Sequence, residues 1–406
     1  MPSLFAWVDY SKAQQDAFID AIDTFREHGT RDEMGLSAIR DGFAGLFFPG
    51  TGSLQTRARY FLFVPWMYLQ LERDRVRSSD VAARAKRFEV SLINALLASQ
   101  EDADHVIGAR SGEKLQRLPS SIYWNGLRRL GIRMSPFSQD QFHRSLDRFY
   151  HAQSSSLKND DKEHVEEMRP NWHPSLPPAP AEFPERASLR LTQREAEYLR
   201  ECIRTSAGPS LMRHYLDHMT AASDSPFAWA HELAPDLPDP LARPLVHGRH
   251  FSEVMAGAVI LYNLKLCQLR KMEKREAEVR VFLEEWCDEI EGRERDLRAW
   301  NRQDFWMTLA QADVKAGRNT QTFVNHWISL ALDDPGPRGV ADSQVAYELI
   351  HDREVQLKGS SLARLEDQHA RDLWNGSSGL RRLDYRWDNA QIVLNDIRNN
   401  LEGAHA

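Results

Sequence analysis

Apolar side chains recur at spacings of three and four residues along most of this chain, which is the period of an α-helix buried along one face. The clearest stripe consists of Trp387, Ala390, Leu394, Ile397 and Leu401. We find no sustained alternation of apolar and polar residues, the pattern of a half-buried strand, and no internal repeat. The sequence therefore predicts an all-α protein.

Capping signals locate several of the predicted helices. A first helix is expected to begin at Ser11 and to end at Gly29, since serine is a favoured N-cap and glycine a favoured stop. The segment Thr192-Gln193-Arg194-Glu195 has the form of a capping box. The stretch Phe251–Ile290 predicts a single long helix with a charged middle.

A proline- and serine-rich segment interrupts the helical pattern. With 406 residues, the chain is long enough for more than one core. Little between His151 and Ser188 could build a core, because the segment combines a serine run, a charged run and six prolines. We predict an N-terminal helical domain over residues 1–150, a linker or surface strap over 151–190, and a C-terminal helical domain over 191–406.

The cysteines and the apolar segments indicate the compartment. Cys202, Cys267 and Cys287 are far apart and form no C-x-x-C motif, which argues against a disulfide scaffold and a structural zinc site. The strongest apolar stretch, Tyr60–Leu71, contains a proline and is too short to span a membrane. No secretory signal is visible. We expect a cytoplasmic protein with no membrane association, no bound metal and no cofactor.

A pair of short helices is a candidate for contact with DNA. The net charge of -7 makes a uniformly basic surface unlikely to exist, yet a local basic face is compatible with it. Two helices within Ser120–Tyr150, separated by a glycine-containing turn, could form a helix-turn-helix or winged-helix-like unit. The alternative is an ordinary helical hairpin with a solvated face. The candidate phosphate-binding residues are Arg128, Arg129, Arg133, Arg144 and Arg148.

A glycine-containing turn is a candidate anion site. The chain contains neither a P-loop nor a dinucleotide-binding glycine motif. A turn before a predicted helix could nevertheless hold an anion with free backbone N–H groups, with arginines beside them. The alternative is a tight turn with a helix cap. The residues concerned are Gly50, Thr51, Gly52, Thr56, Arg57 and Arg59.

The segment Leu362–Leu383 and the residues that follow are rich in arginine and aromatic side chains. Such residues often anchor protein interfaces. We therefore predict partner binding by Arg371, Trp374, Tyr385 and Arg386. The alternative is that the tryptophans fill the core of their own domain.

One weak enzyme signature occurs in the C-terminal half. His351 and Asp352 are adjacent, His326 lies upstream, and Asp367 or Asp372 lies downstream. This order is typical of helical metal-dependent phosphohydrolases or nucleases. We find no other catalytic motif, and we assign no catalytic residue.

Several sequence blocks resemble an uncharacterised bacterial family of unknown function. They are Trp7-Val-Asp-Tyr-Ser11, Thr30–Gly35, Ile39-Arg40-Asp41, Phe47–Thr51, Gln55–Trp66, Ile122-Tyr123-Trp124, Leu130-Gly131-Ile132, Arg364, Arg371, Trp374, Gly376, Ser378-Gly379 and Tyr385-Arg386-Trp387. The resemblance implies an accessory or scaffold subunit of an antiviral defence system, acting beside helicase or nuclease subunits. It supplies no catalytic residues.

The leading hypothesis is thus a non-enzymatic defence subunit that contacts other defence proteins and DNA. One alternative is a metal-dependent phosphohydrolase or nuclease built on His326, His351 and Asp352. A second alternative is a cytoplasmic protein-interaction module that does not bind nucleic acid.

Overall fold

The computed structural model describes residues 32–99, 103–112, 115, 117–156 and 170–401. Over these residues the chain forms fifteen α-helices and no β-strand, so the all-α prediction is confirmed. The predicted helix from Ser11 to Gly29 lies outside them. The helices are α1 (Ser37–Phe47), α2 (Tyr60–Arg73), α3 (Val81–Ala98), α4 (Pro119–Arg129), α5 (Gln139–Ser156), α6 (Gln193–Ser206), α7 (Leu211–His218), α8 (Asp239–Leu269), α9 (Glu273–Gly292), α10 (Glu294–Arg298), α11 (Arg302–Gln311), α12 (Arg318–Leu332), α13 (Gln344–Lys358), α14 (Gln368–Asp372) and α15 (Trp387–Leu401).

The chain divides into two compact units, and neither is continuous in sequence. The first unit contains Met1–Gly42 and Val246–Leu383, and the second contains Phe43–Leu245 and Asp384–Ala406. The predicted domains 1–150, 151–190 and 191–406 do not coincide with these units. The predicted boundaries near 150 and 190 both fall inside the second unit, whereas the observed divisions at 42 and 245 fall inside helices α1 and α8.

Helix α2 is the centre of the second unit. Ten of its residues are buried, because apolar side chains surround the whole helix rather than one stripe of it. It packs against α3 and α4. Pro65 lies inside the helix. Next to it, the Trp66 indole Nε1 donates a buried hydrogen bond of 2.7 Å to the carbonyl of Pro177.

Residues 170–190 form a strap that packs on the second unit. Trp172 is buried and forms an isolated antiparallel bridge with Arg133. Its indole Nε1 donates to Glu72 Oε1 over 2.9 Å. At the other end of the strap, Leu189 is fully buried, and the carbonyl of Ser188 accepts from Arg59 Nη1 over 2.8 Å. These contacts explain why a proline-rich segment belongs to a compact unit.

The first unit is built around α8. The buried indoles of Trp286 and Trp327 donate to the carbonyls of Glu253 and Val254, over 2.9 and 2.8 Å. A side chain at Gly257 would overlap the Trp286 ring. Glycine is therefore required there, because the ring lies directly against the helix backbone.

The predicted single helix over Phe251–Ile290 is wrong, since two helices cover this stretch. Helix α8 ends at Leu269 and α9 begins at Glu273. Between them, Lys271 has a φ of 54°, a left-handed conformation that interrupts α-helical hydrogen bonding. The charged run, which periodicity reads as helix, thus contains the break.

A buried polar network joins α3, α4, α5 and α2. The carboxylate of Glu89 accepts from the backbone N–H and the hydroxyl of Ser120, over 2.6 and 3.1 Å. Gln139 Nε2 donates to Ser120 Oγ and to Tyr68 Oη, and Tyr68 Oη lies 2.7 Å from His143 Nε2. Burial raises the pKa of Glu89 to about 7 and lowers that of His143 to about 4. Both side chains are therefore held in an environment that disfavours charge.

Replacing Glu89 with glutamine is expected to flatten the pH dependence of stability. The pKa of Glu89 rises from an ordinary value of 4.5 to about 7 in the folded chain. Between these values the folded chain keeps a proton that the unfolded chain has lost. The free energy of unfolding therefore falls as pH rises, by up to about 1.4 kcal/mol per pH unit. Urea denaturation at about pH 5 and about pH 8 measures this fall.

The matched control is Glu201→Gln, at an exposed position of α6 in the same unit. It should leave the fall unchanged, whereas Glu89→Gln should be relatively more stable than the wild type at the higher pH. An identical pH dependence for Glu89→Gln and the wild type would contradict the account of this network.

Candidate functional site

The predicted anion loop is a tight turn packed against α4. Gly50 has a φ of 88°, a conformation that favours glycine. Thr51 is buried, and its hydroxyl donates to the carbonyl of Phe48 over 2.6 Å. A side chain at Gly126 would overlap the Gly50 carbonyl oxygen. Loop and helix thus approach closely because both positions are glycine. The remaining glycine of the turn, Gly52, accepts through its carbonyl from the N–H of Gln55 over 3.2 Å.

The donors after this turn bind a carboxylate of the chain itself. Arg57 Nη2 and Nε donate to the Asp396 carboxylate over 2.6 to 2.9 Å. The backbone N–H of Ala58 donates to Asp396 Oδ2 over 2.9 Å. The N–H groups of Thr56 and Arg57 donate to the hydroxyl of Tyr123, over 2.9 and 3.2 Å. A carboxylate ahead of α2 is favourable, because the start of a helix carries partial positive charge.

Arg59 holds a second internal carboxylate. Its Nη2 donates to Glu195 Oε1 over 2.8 Å, and both side chains are almost fully buried. Glu195 also completes the predicted capping box, in which it and Thr192 bond reciprocally at the start of α6. The groups predicted to hold an external anion therefore hold Asp396 and Glu195 in this structure.

The predicted DNA-binding helices are present as α4 and α5. Arg128 and Arg129 lie in the last turn of α4, and Arg144 and Arg148 lie four residues apart on α5; all four are exposed. Arg144 is ion-paired with Asp140 one turn earlier. The other three form no ion pair within the part of the chain that the structure describes.

Arg133 differs from these four, because it is 2% exposed. Its Nη1 donates to the carbonyls of Ser135 and Phe137, and its guanidinium lies 4.5 Å from the centre of the Trp124 ring. Burial, together with the charge of Arg128, lowers its pKa to about 10. Arg133 thus shapes the connection between α4 and α5, and no donor of it is directed to a surface ligand in these contacts.

The predicted partner-binding residues fall in different units. In the first unit, Trp374 is 3% exposed and its Nε1 donates to Ser378 Oγ over 3.0 Å. Arg371 donates to the carbonyls of Arg364 and Leu365, over 2.7 and 3.0 Å. For Trp374, the structure agrees with the alternative that it fills the core.

In the second unit, Tyr385 is 1% exposed and its ring lies 5.3 Å from that of Phe43. Arg386 is partly exposed and its Nη1 donates to the carbonyl of Thr51 over 2.8 Å. Both residues have positive φ, at 56° and 67°. This pair therefore forms the turn that leads into α15.

A buried charged network in the first unit was not anticipated from the sequence. Glu33 and Glu354 are 4% and 0% exposed. Lys358 Nζ is ion-paired with both carboxylates, at 2.7 Å from Glu354. Arg364 Nη1 lies 2.5 Å from Glu33, and Tyr262 Oη donates to Glu354 over 2.6 Å. The signal available was the resemblance of the Thr30–Gly35 block and of Arg364 to the same family.

The histidines of the hydrolase alternative are not assembled with further ligands. His351 Nδ1 lies 3.1 Å from Asp352 Oδ1, and its Nε2 lies 3.8 Å from Glu366. His326 lines a shallow groove that also contains Asp333 and Asp334. Among the described residues, no three His, Cys, Asp or Glu side chains are arranged to hold a metal ion. Within the same residues, no helix combines the length and the apolar character that a membrane span needs.

The burial of Trp374 generates a prediction about stability. Trp374→Ala should lower the free energy of unfolding by about 3–5 kcal/mol, because it removes a large core side chain and leaves a cavity. The neighbouring Leu373 is 73% exposed. Leu373→Ala should therefore change stability by less than about 0.5 kcal/mol. Thermal and urea denaturation measure both values, and wild-type stability in Trp374→Ala would show that its burial is not as described.

Comparisons with known proteins identify the family. No curated protein and no solved structure matches this chain. A family model described as "Family of unknown function (DUF6361)" matches residues 2–400, almost the whole sequence. The family predicted from the sequence blocks, an uncharacterised one, is thereby confirmed. The chain belongs to DUF6361, a family of unknown function.

Proposed function

We propose that this protein is a non-enzymatic accessory or scaffold subunit of a bacterial antiviral defence system, and that it contacts DNA through the exposed arginines of α4 and α5. The defence setting is what the sequence resemblance implies. The partners would be other proteins of the system, such as helicase or nuclease subunits. The proposed DNA contact rests on the surface chemistry of the two helices.

One observation carries this proposal, namely a local excess of exposed positive charge in a negatively charged chain. Residues 117–156 contain six arginines and two aspartates, with no lysine and no glutamate, whereas the net charge of the whole protein is -7. Arg128, Arg129, Arg144 and Arg148 are exposed. Guanidinium groups form planar donor pairs that match phosphate oxygens. Such contacts determine affinity and position without reading base sequence.

The overall negative charge sets the expected strength of binding. A chain of net charge -7 is repelled by DNA at long range. Binding should therefore be weak and strongly dependent on salt, because each phosphate contact releases condensed counterions. Such a subunit would act best when a partner holds it close to DNA, since tethering raises the effective concentration.

The phosphohydrolase alternative has no geometric observation in its favour. The contacts of His351 are to Asp352 and Glu366, and they include no third metal-binding side chain among the described residues. The interaction-module alternative shares the scaffold role and differs only in lacking DNA contact. A binding experiment therefore distinguishes it from the proposal.

The double substitution Arg128→Ala with Arg129→Ala should weaken duplex binding equally for unrelated DNA sequences. Two lost phosphate contacts should reduce the slope of log affinity against log salt by about 1.8, at about 0.9 per contact. Fluorescence anisotropy with labelled duplexes at low salt measures affinity and slope. The control is Arg190→Ala with Arg194→Ala, which removes the same charge from exposed positions of the same unit.

The absence of duplex binding by the wild-type protein at low salt would overturn the proposed DNA contact. If that protein still co-purified with the products of neighbouring genes, the interaction-module alternative would replace it. An equal effect of the control pair would show that binding responds to net charge and not to this surface.

A further inference from the structure

The turn between α2 and α3 carries a second group of exposed arginines. Val76 is 7% exposed and fixes the turn to the core, whereas its neighbours Arg75 and Arg77 are both exposed. The turn is also held by backbone hydrogen bonds, including one of 2.8 Å from the N–H of Asp80 to the carbonyl of Arg77. An ordered turn therefore presents two guanidinium groups on either side of one buried anchor.

Reciprocal hydrogen bonds hold this turn against α5. The backbone N–H of Ser78 donates to Asp147 Oδ1 over 3.1 Å, and the N–H of Asp147 lies 3.0 Å from Ser78 Oγ. Ser78 Oγ also lies 3.4 Å from the carbonyl of Arg144. Arg75 Nη1 donates to Ser154 Oγ over 2.9 Å, two turns further along the helix. The turn thus lies alongside the part of α5 that carries Arg144 and Arg148.

The charge of this segment matches that of the helix beside it. Residues 73–87 contain six lysines and arginines and two aspartates. Arg73, Arg75, Arg77, Arg84, Lys86 and Arg87 are all exposed. The nearby acidic groups are engaged locally, since Asp140 is paired with Arg144 and Asp147 accepts from Ser78. The excess of positive charge therefore continues from α5 across the turn.

We infer that Arg75 and Arg77 form a second set of phosphate contacts for the same duplex that binds α4 and α5, an inference that rests on the proposed function. These arginines are exposed on separate elements, so an extended polyanion can contact several of them at once, whereas a small anion cannot. The ligand class is the sugar-phosphate backbone of duplex DNA, bound without regard to base sequence. The Ser78–Asp147 contact is the positioning element of this arm.

The test compares two pairs of substitutions by fluorescence anisotropy with one labelled duplex over a salt series. One variant carries Arg75→Gln and Arg77→Gln, and the other carries Arg144→Gln and Arg148→Gln. Glutamine keeps a long polar side chain at Arg75, where φ is 49°. Each pair should lower the salt slope by about 1.8. The variant Arg77→Glu alone, at a residue with no printed side-chain bond, serves if the first pair unfolds, and thermal melting shows whether each variant is folded.

The outcomes separate this inference from the function on which it rests. If Arg144→Gln with Arg148→Gln weakens binding but the Arg75 and Arg77 pair retains the wild-type slope, the second arm does not exist and the proposed function stands. If the wild-type protein binds no duplex, the proposed function fails first. A matched pair, Arg190→Gln with Arg194→Gln, should leave the slope unchanged.

Discussion

The ion pair between Arg57 and Asp396 closes the second unit. It joins the residues just before α2 to the middle of α15, across more than three hundred positions of sequence. Asp396 is 7% exposed, and it accepts both the guanidinium of Arg57 and the N–H of Ala58. Removing one member of such a pair leaves a charge without its partner in a poorly solvated place, which is strongly unfavourable. Helix α15 in turn packs on α6 and α7, so this contact fixes where those helices meet α2.

The first unit depends on a comparable constraint at Glu33. Two buried carboxylates, Glu33 and Glu354, share Lys358, while Arg364 contacts Glu33 and Tyr262 contacts Glu354. Each carboxylate needs its partners, because a buried unpaired charge is costly. In both units the sequence blocks that resemble the family supply the participants. A large share of the residue pattern in those blocks is therefore explained by internal architecture.

Local signals in the sequence predicted local structure well. The stripe that begins at Trp387 forms α15, and the capping box at Thr192 opens α6 as expected. The predicted site residues were read less completely, because their partners are distant in sequence. Nothing near Arg57 indicates Asp396, and nothing near Arg59 indicates Glu195. Arg133 is sequence-adjacent to exposed arginines and is nevertheless buried. Chain topology was equally invisible, since two units that interleave along the sequence leave no compositional boundary.

These assignments leave the exposed arginines around α4 and α5 as the chemistry that the fold does not use internally. The central claim is that the donors at Arg57 serve an internal carboxylate rather than an external anion. A double-mutant cycle with Arg57→Met and Asp396→Leu, followed by urea denaturation, tests it most directly. The account predicts a coupling energy of about 2–3 kcal/mol, with the double variant much more stable than the two single effects would give if added. Additive effects, with a coupling energy near zero, would contradict it.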